Sequence, residues 1–257
     1  MQYGVSLYVI MFKVTGMIVK LQKIILPIFI LMLSFPAFSQ EQKIQNRPFL
    51  DDRIWHYGFL LGMNCQDLAL ENNGMPFVNE QGIAEYWYST VPEYIPGFSV
   101  GILGEYKLSD NVSLRIIPTM YFGDRKLVFR EQTTGLTTEQ YLKSTLLSVP
   151  FDLKISPLRF NNCRPYIVTG LAPTIDLTRS KGEAFMLKGR DSMFEIGMGC
   201  DLYYQFFKLI PEIKFCFGLK DIHEKSRKDL RDFSLLKYSN SVDKAMSRMI
   251  VLSLYFE

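Results

Sequence analysis

The chemistry open to this chain of 257 residues is narrowed first by what it lacks. It has two histidines, four cysteines and two tryptophans. No His or Cys pairs fall at zinc spacing, and no glycine-rich loop could cradle a phosphate. Net charge is +3, from 29 Lys and Arg against 26 Asp and Glu. No basic cluster is interleaved with aromatics, which excludes a nucleic-acid groove. No cofactor is implied. After residue 39 no apolar run approaches the roughly 18 residues that read as a spanning helix, so the mature chain is expected to have none.

Aromatic residues and strict alternation are abundant instead. There are 20 Phe and 14 Tyr. In the last stretch, Met246 to Glu257, Ile250, Leu252, Leu254 and Phe256 alternate with Val251, Ser253 and Tyr255. Period two marks a strand, and a strand this apolar needs neighbours on both edges. A closed antiparallel barrel in an outer membrane supplies them by pairing the last strand with the first. The pattern recurs over Ile54–Asn64, Gly97–Leu108, Val112–Phe122, Leu146–Ser156, Pro165–Leu177, Ser192–Tyr203 and Phe207–Leu219. The facing of the Pro- and Gly-interrupted segment 165–177 is not legible. The connections alternate between long and short, as in outer-membrane barrels, where short periplasmic turns face longer outer loops. The expectation is an all-β, eight-stranded antiparallel transmembrane β-barrel, an up-and-down meander. A periplasmic β-sandwich explains the alternation but not the loop rhythm.

Export has its own signature. Lys20 and Lys23 precede an apolar run from Ile24 to Phe35, then Ala37-Phe38-Ser39. This order reads as a secretory signal. Residues 1–39 are the expected signal peptide, with Met17 a better start than Met1; an uncleaved anchor from Val5 to Leu33 is the alternative. Residues 40–53 form a periplasmic tail and 54–257 the barrel. Alternation turns Glu105, Asp152, Glu195, Asp201 and Glu212 inward, with Lys107, Arg115, Lys154, Lys208 and Lys214. Unpaired charge in a narrow lumen is costly, but interspersed opposite charges neutralise each other. Side chains fill a ring of eight strands, so a plugged, salt-bridged lumen is expected rather than a pore. All four cysteines are expected to be free thiols, because Cys200 and Cys216 fall on opposite faces and Cys65 and Cys163 in connections at opposite ends.

Chemistry at the rim has few candidates. His56 reads as a packed inward residue. His223, in Asp221-Ile222-His223-Glu224 near Ser226, has the components of a general base, but no serine sits in a G-x-S-x-G elbow. Tyr86, Trp87 and Tyr88 in the first outer loop, and Arg227 and Lys228 in the last, are candidate partner contacts. Lipopolysaccharide phosphates are a second destination for those bases.

Several segments together resemble the PorT family of outer-membrane barrels, associated with type IX secretion and gliding motility. They are Asp51-Asp52-Arg53-Ile54-Trp55-His56-Tyr57-Gly58-Phe59, Pro96-Gly97-Phe98-Ser99-Val100-Gly101 and Pro118-Thr119-Met120-Tyr121-Phe122-Gly123-Asp124. Arg164-Pro165-Tyr166, the stretch Leu209 to Leu219 and Asn240-Ser241-Val242-Asp243-Lys244-Ala245 follow in order. The resemblance implies a non-enzymatic accessory to export of cargo across the outer membrane, with other secretion components as partners and no catalytic residues. Met1 to Gly16 departs from the family pattern.

Overall fold

The computed structural model describes residues 45–78, 82, 84–92, 94–132, 134–178, 185–225 and 235–257. The signal segment 1–39, Thr133, Ser226, Arg227 and Lys228 lie outside the described residues.

Eight antiparallel staves close into a ring. The first is β1 (Trp55–Asn72). An outer loop carries β2 (Phe77–Val78), β3 (Ala84–Glu85) and β4 (Trp87–Thr90) before the second stave, β5 (Pro96–Lys107). The third stave is β6 (Val112–Ile116) with β7 (Thr119–Glu131), and the fourth β8 (Thr137–Ser148) with β9 (Phe151–Ile155). Each breaks beside a proline, Pro118 or Pro150, which has no N–H for the ladder. Staves five to seven are β10 (Cys163–Asp176), β11 (Arg190–Tyr203) and β12 (Lys208–Gly218). A short helix α1 (Leu236–Asn240) precedes the eighth, β13 (Val242–Phe256). Pairing runs β1–β5–β6–β9–β10–β11–β12–β13 and returns to β1, with Phe59 opposite Phe256 and Leu61 opposite Leu254 at the seam. The Phe59 and Phe256 rings stack there, 5.0 Å apart.

Alternation sorts the faces as period two requires. On β1, Tyr57, Phe59, Leu61 and Met63 point outward and are exposed, while His56, Leu60 and Asn64 are buried inside. Tyr166, Val168, Ala172 and Thr174 settle the facing of β10: its even positions point inward, leaving both prolines, Pro165 and Pro173, outside. The outer apolar belt stops at charges, with Asp67 opposite Arg248 and Asp124 opposite Lys143. The staves do not stop there. β1 continues to Asn72 rather than Asn64, because its inward row goes on through Gln66 and Leu68 after its outward row turns polar. β7 and β8 rise as a hairpin, with Gly135 at its tip in the left-handed region, φ 72°.

Above the belt the long-loop end has its own core. Leu68, Trp87, Leu127, Phe129, Leu142, Phe185, Ile222, Val242 and Ala245 pack into one cluster. Two side-chain amides tie incoming loops to it. Asn72 exchanges two hydrogen bonds with the Ser89 backbone (2.8 and 3.2 Å), and Gln140 does the same with Phe185 (both 3.1 Å).

The cysteine expectation is corrected. Cys163 and Cys200 form a disulfide with Cα atoms 6.5 Å apart, while Cys65 and Cys216 are free. Cys163 opens β10 rather than lying in a turn, and both sulfurs leave the outer face. Cys163 pairs with Leu202 and Pro165 with Cys200, so the two are diagonal neighbours on adjacent staves, within disulfide reach. Blocking thiols in denaturant without reductant should therefore label two cysteines, Cys65 and Cys216. Reduction first should raise the count to four, read by intact mass.

Candidate functional site

The lumen is the densest concentration of charge in the fold. Glu212 on β12 is its hub. Its carboxylate accepts from Arg115 Nη1 (2.9 Å), the Tyr166 hydroxyl (2.5 Å) and the Tyr255 hydroxyl (2.7 Å), with Lys214 Nζ at 3.7 Å. Arg115 also donates to Glu105 (2.7 Å) and lies 3.9 Å from Asp201. Lys154 bonds Asp201 at 2.6 Å and reaches Glu105 at 3.5 Å. Lys214 bonds Asp152 (2.8 Å) and Glu195 (3.0 Å). Arg115 and Lys154 both stand over the Tyr166 ring, at 4.6 and 4.5 Å. Burying an ion costs several kcal/mol, which only multiple close partners offset. Each of these three bases has at least two.

Of the ten charges read from sequence as turned inward, eight meet here and Lys208 joins them from the mouth. Lys107 does not: it is partly exposed at the short-turn mouth, bonded to the Asp51 carbonyl and paired with Asp110, both at 2.9 Å. Lys107 still pairs with Ser113 in the ladder, but at the end of β5 its side chain serves the mouth rather than the ion-pair network. Lys208 connects lumen to mouth, 3.8 Å from Asp201 and 2.5 Å from Glu257, whose other oxygen lies 2.6 Å from His56 Nδ1. The tyrosines were missed as charge partners because alternation locates a side chain without showing how far it reaches. Tyr166 reaches Glu212 only because Gly199 leaves room. A Cβ there would lie 2.4 Å from the Tyr166 hydroxyl oxygen.

Both ends of the tube are closed. At the short-turn mouth, residues 45–53 of the tail lie across the opening. Asp51 accepts from the Tyr203 hydroxyl at 2.6 Å, Asn46 bonds Asn162 and Tyr203, and Arg159 stacks on the Tyr203 ring at 3.6 Å. At the other end stands the apolar cap. Two voids lie along the described lumen, one at Lys154, Asp201 and Lys208 and one at Arg125 and Asp191. Each measures ≈ 10 Å³, about one water.

The rim candidates divide. Trp87 is buried, not displayed: its Nε1 bonds Glu85 (2.8 Å), its ring meets Tyr238 edge-on, and it belongs to the cap core. Tyr86 remains exposed, and Tyr88 is half-buried with its hydroxyl on Gln132 (2.7 Å). His223 is also buried, stacked on Phe185 at 5.0 Å with Nε2 3.3 Å from Ser239 Oγ. The Asp221 carboxylate accepts from the backbone N–H groups of His223 and Ala245. Among the described residues, no group of three or more His, Cys, Asp or Glu could hold a metal ion.

Two outcomes follow. Lys214→Met leaves Asp152, Glu195 and Glu212 without their shared cation. The expected loss is about 3–5 kcal/mol, the cost of breaking a buried pair from one side. It should appear as a lower urea midpoint for conversion of the folded, fast-migrating gel form to the unfolded one. A Lys214→Met, Glu195→Gln pair should recover part of that loss. At the cap, burial pushes the His223 imidazole below its ordinary pKa despite the nearby Asp221 charge. The opened state then takes up a proton first, so cap stability is full above pH of about 6.5 and is lost as pH falls toward the depressed value. Hydrogen exchange of 185–188 and 220–225, corrected for the chemical rate, should quicken between pH 7.5 and 5.5. His223→Phe should remove that pH dependence.

A family model described as outer membrane protein beta-barrel domain matches residues 38–224. Among solved structures, Neisserial surface protein A (NspA) is 9% identical, with 78% of this chain and 97% of that one covered, at a TM-score of 0.43. OprG from Pseudomonas aeruginosa is 10% identical over 79% and 90%, at 0.39. Ail of Yersinia pestis, solved with the heparin analogue sucrose octasulfate, is 11% identical over 78% and 96%, at 0.32. No curated protein matches the chain.

Proposed function

This chain belongs to the outer membrane protein β-barrel domain family, and from that premise we propose a non-conducting, non-enzymatic accessory of a type IX protein-secretion and gliding apparatus. The filled lumen carries the reading. A tube whose core is Glu212, Arg115, Lys214 and their partners, with two water-sized voids among the described residues, supports the absence of a path for cargo. Work is then left to the outer cap, the periplasmic mouth and the lipid-facing wall, each acting through partners. The ordered series of PorT-like segments, from Asp51 to Ala245, supports the secretion assignment. Burial of His223 in the cap weighs against rim-sited lipid chemistry.

A generic barrel that binds a ligand at its cap or stabilises the membrane is the second reading. It is favoured by the cap's own core and by exposed Met75, Val78 and Leu136 in the outer loops. Gene deletion separates the two. The accessory role requires cargo to accumulate in the periplasm and gliding to fail; normal secretion and motility in the deletion strain would refute it. Co-purification in mild detergent should bring down other secretion components, which a generic barrel would not retain. Planar-bilayer recordings of the purified barrel should show no conductance steps.

A further inference from the structure

The barrel wall is dented on one side. Near its periplasmic end a groove of about 890 Å³ opens on the lipid-facing surface, within the range of roughly 300–1,000 Å³ in which discrete small molecules are held. The dent has a cause in the sequence. Along one row, Ile167 faces Met198, Met198 faces Ile213 and Ile213 faces Leu252. In the next row toward the periplasm, Pro165 faces Cys200 and Pro211 faces Leu254. The β11–β12 ladder lapses there, passing from Gly199–Glu212 to Leu202–Leu209. A proline in an interior stave cannot donate to the ladder. Pro165, Cys200 and Pro211 are also shorter than Phe194, Phe215 and Phe217 higher on the same outer face. The Cys163–Cys200 disulfide joins β10 to β11 at the groove's edge.

Two observations indicate the occupant. The turns around the groove end in exposed apolar residues, Leu158 (75%), Phe160 (61%) and Phe206 (89%). Such tips belong at the membrane interface rather than in water, so the groove beside them is bathed in lipid. Its lining is mostly apolar; Asn111 and Ser156 stand at its periplasmic end, and Tyr166 and Glu212 back it from the lumen side. Arg164 lies on the lumen side of this wall, lining the void at the periplasmic mouth, its guanidinium bonded to the carbonyls of Pro157 and Asp110 in the two bordering turns and 3.8 Å from Asp51. An apolar trough that ends in the exposed Asn111 amide at the membrane interface has the polarity of a phospholipid, chain to headgroup. We propose that this groove binds one inner-leaflet phospholipid, an acyl chain over Met198, Ile213 and Leu252 and its headgroup toward Asn111.

The test uses the full barrel in phosphatidylethanolamine vesicles carrying a trace of the same lipid with a diazirine in mid-chain. After photolysis, adducts mapped by mass spectrometry should be several-fold enriched on peptides containing Met198, Ile213 and Leu252. The reference is Phe98 and Ile102, equally lipid-exposed on the far side of the ring. Ile213→Trp, which fills the groove, should abolish the excess, and Ile102→Trp should leave it unchanged. Folding of each variant is checked by heat-modifiable migration, and Met198→Phe serves if Ile213→Trp does not fold. Even labelling around the belt, or an excess surviving the filled groove, overturns the proposal. A lipid A probe with the same diazirine forms a second arm; enrichment equal to or above that of the phospholipid overturns the assignment to the inner leaflet.

Discussion

Closure of the sheet between β1 and β13 is the constraint on which every other feature of this fold depends. In hydrocarbon each backbone N–H and C=O needs a partner within the protein. Phe59 opposite Phe256 and Leu61 opposite Leu254 remove the last two free edges. Once the ring is closed with eight staves, its interior width is set, and so is the rule that each inward side chain must find its partner among the other seven staves.

The buried charges follow from that narrowness. The four bases Arg115, Lys154, Lys208 and Lys214 meet five carboxylates across β5, β9, β11 and β12, and two tyrosine hydroxyls complete the shell of Glu212. An arrangement of this kind adds little net stability over an apolar core, but it penalises misregister heavily. A slip by one residue would put Arg115 and Lys214 in lipid and Ile116 and Phe215 in the lumen. The network therefore acts as a register key as much as a plug.

Along its axis the tube changes character. The periplasmic mouth is closed by Asp51 and Arg159, the middle by ion pairs between apolar layers, and the outer end by an aromatic core outside the lipid belt. The wall itself is broken beside Pro118 and Pro150 and dented where Pro165 and Pro211 flank Cys200. Function in such an object is confined to its surfaces, because the interior is spent on holding the ring together.

The strands, their order, the seam and, except on β10, the inward and outward rows were legible in the sequence, because lipid outside and a packed lumen inside impose a two-residue period, and the loop rhythm separates it from that of a sandwich. Where that asymmetry ends, legibility ended too. β1 could be followed to Asn64 but not to Asn72, since past the belt both faces carry polar residues. Trp87 and His223 read as surface chemistry because nothing local marks a loop that folds back over the barrel; only the cap core buries them. Cys163 and Cys200 went unpaired because Cys163 read as part of the turn before β10 rather than as its first residue. Alternation by itself thus determined which way each stave residue points. Tertiary structure alone decided which residues meet across the ring, since contact depends on register and reach between staves far apart in the chain.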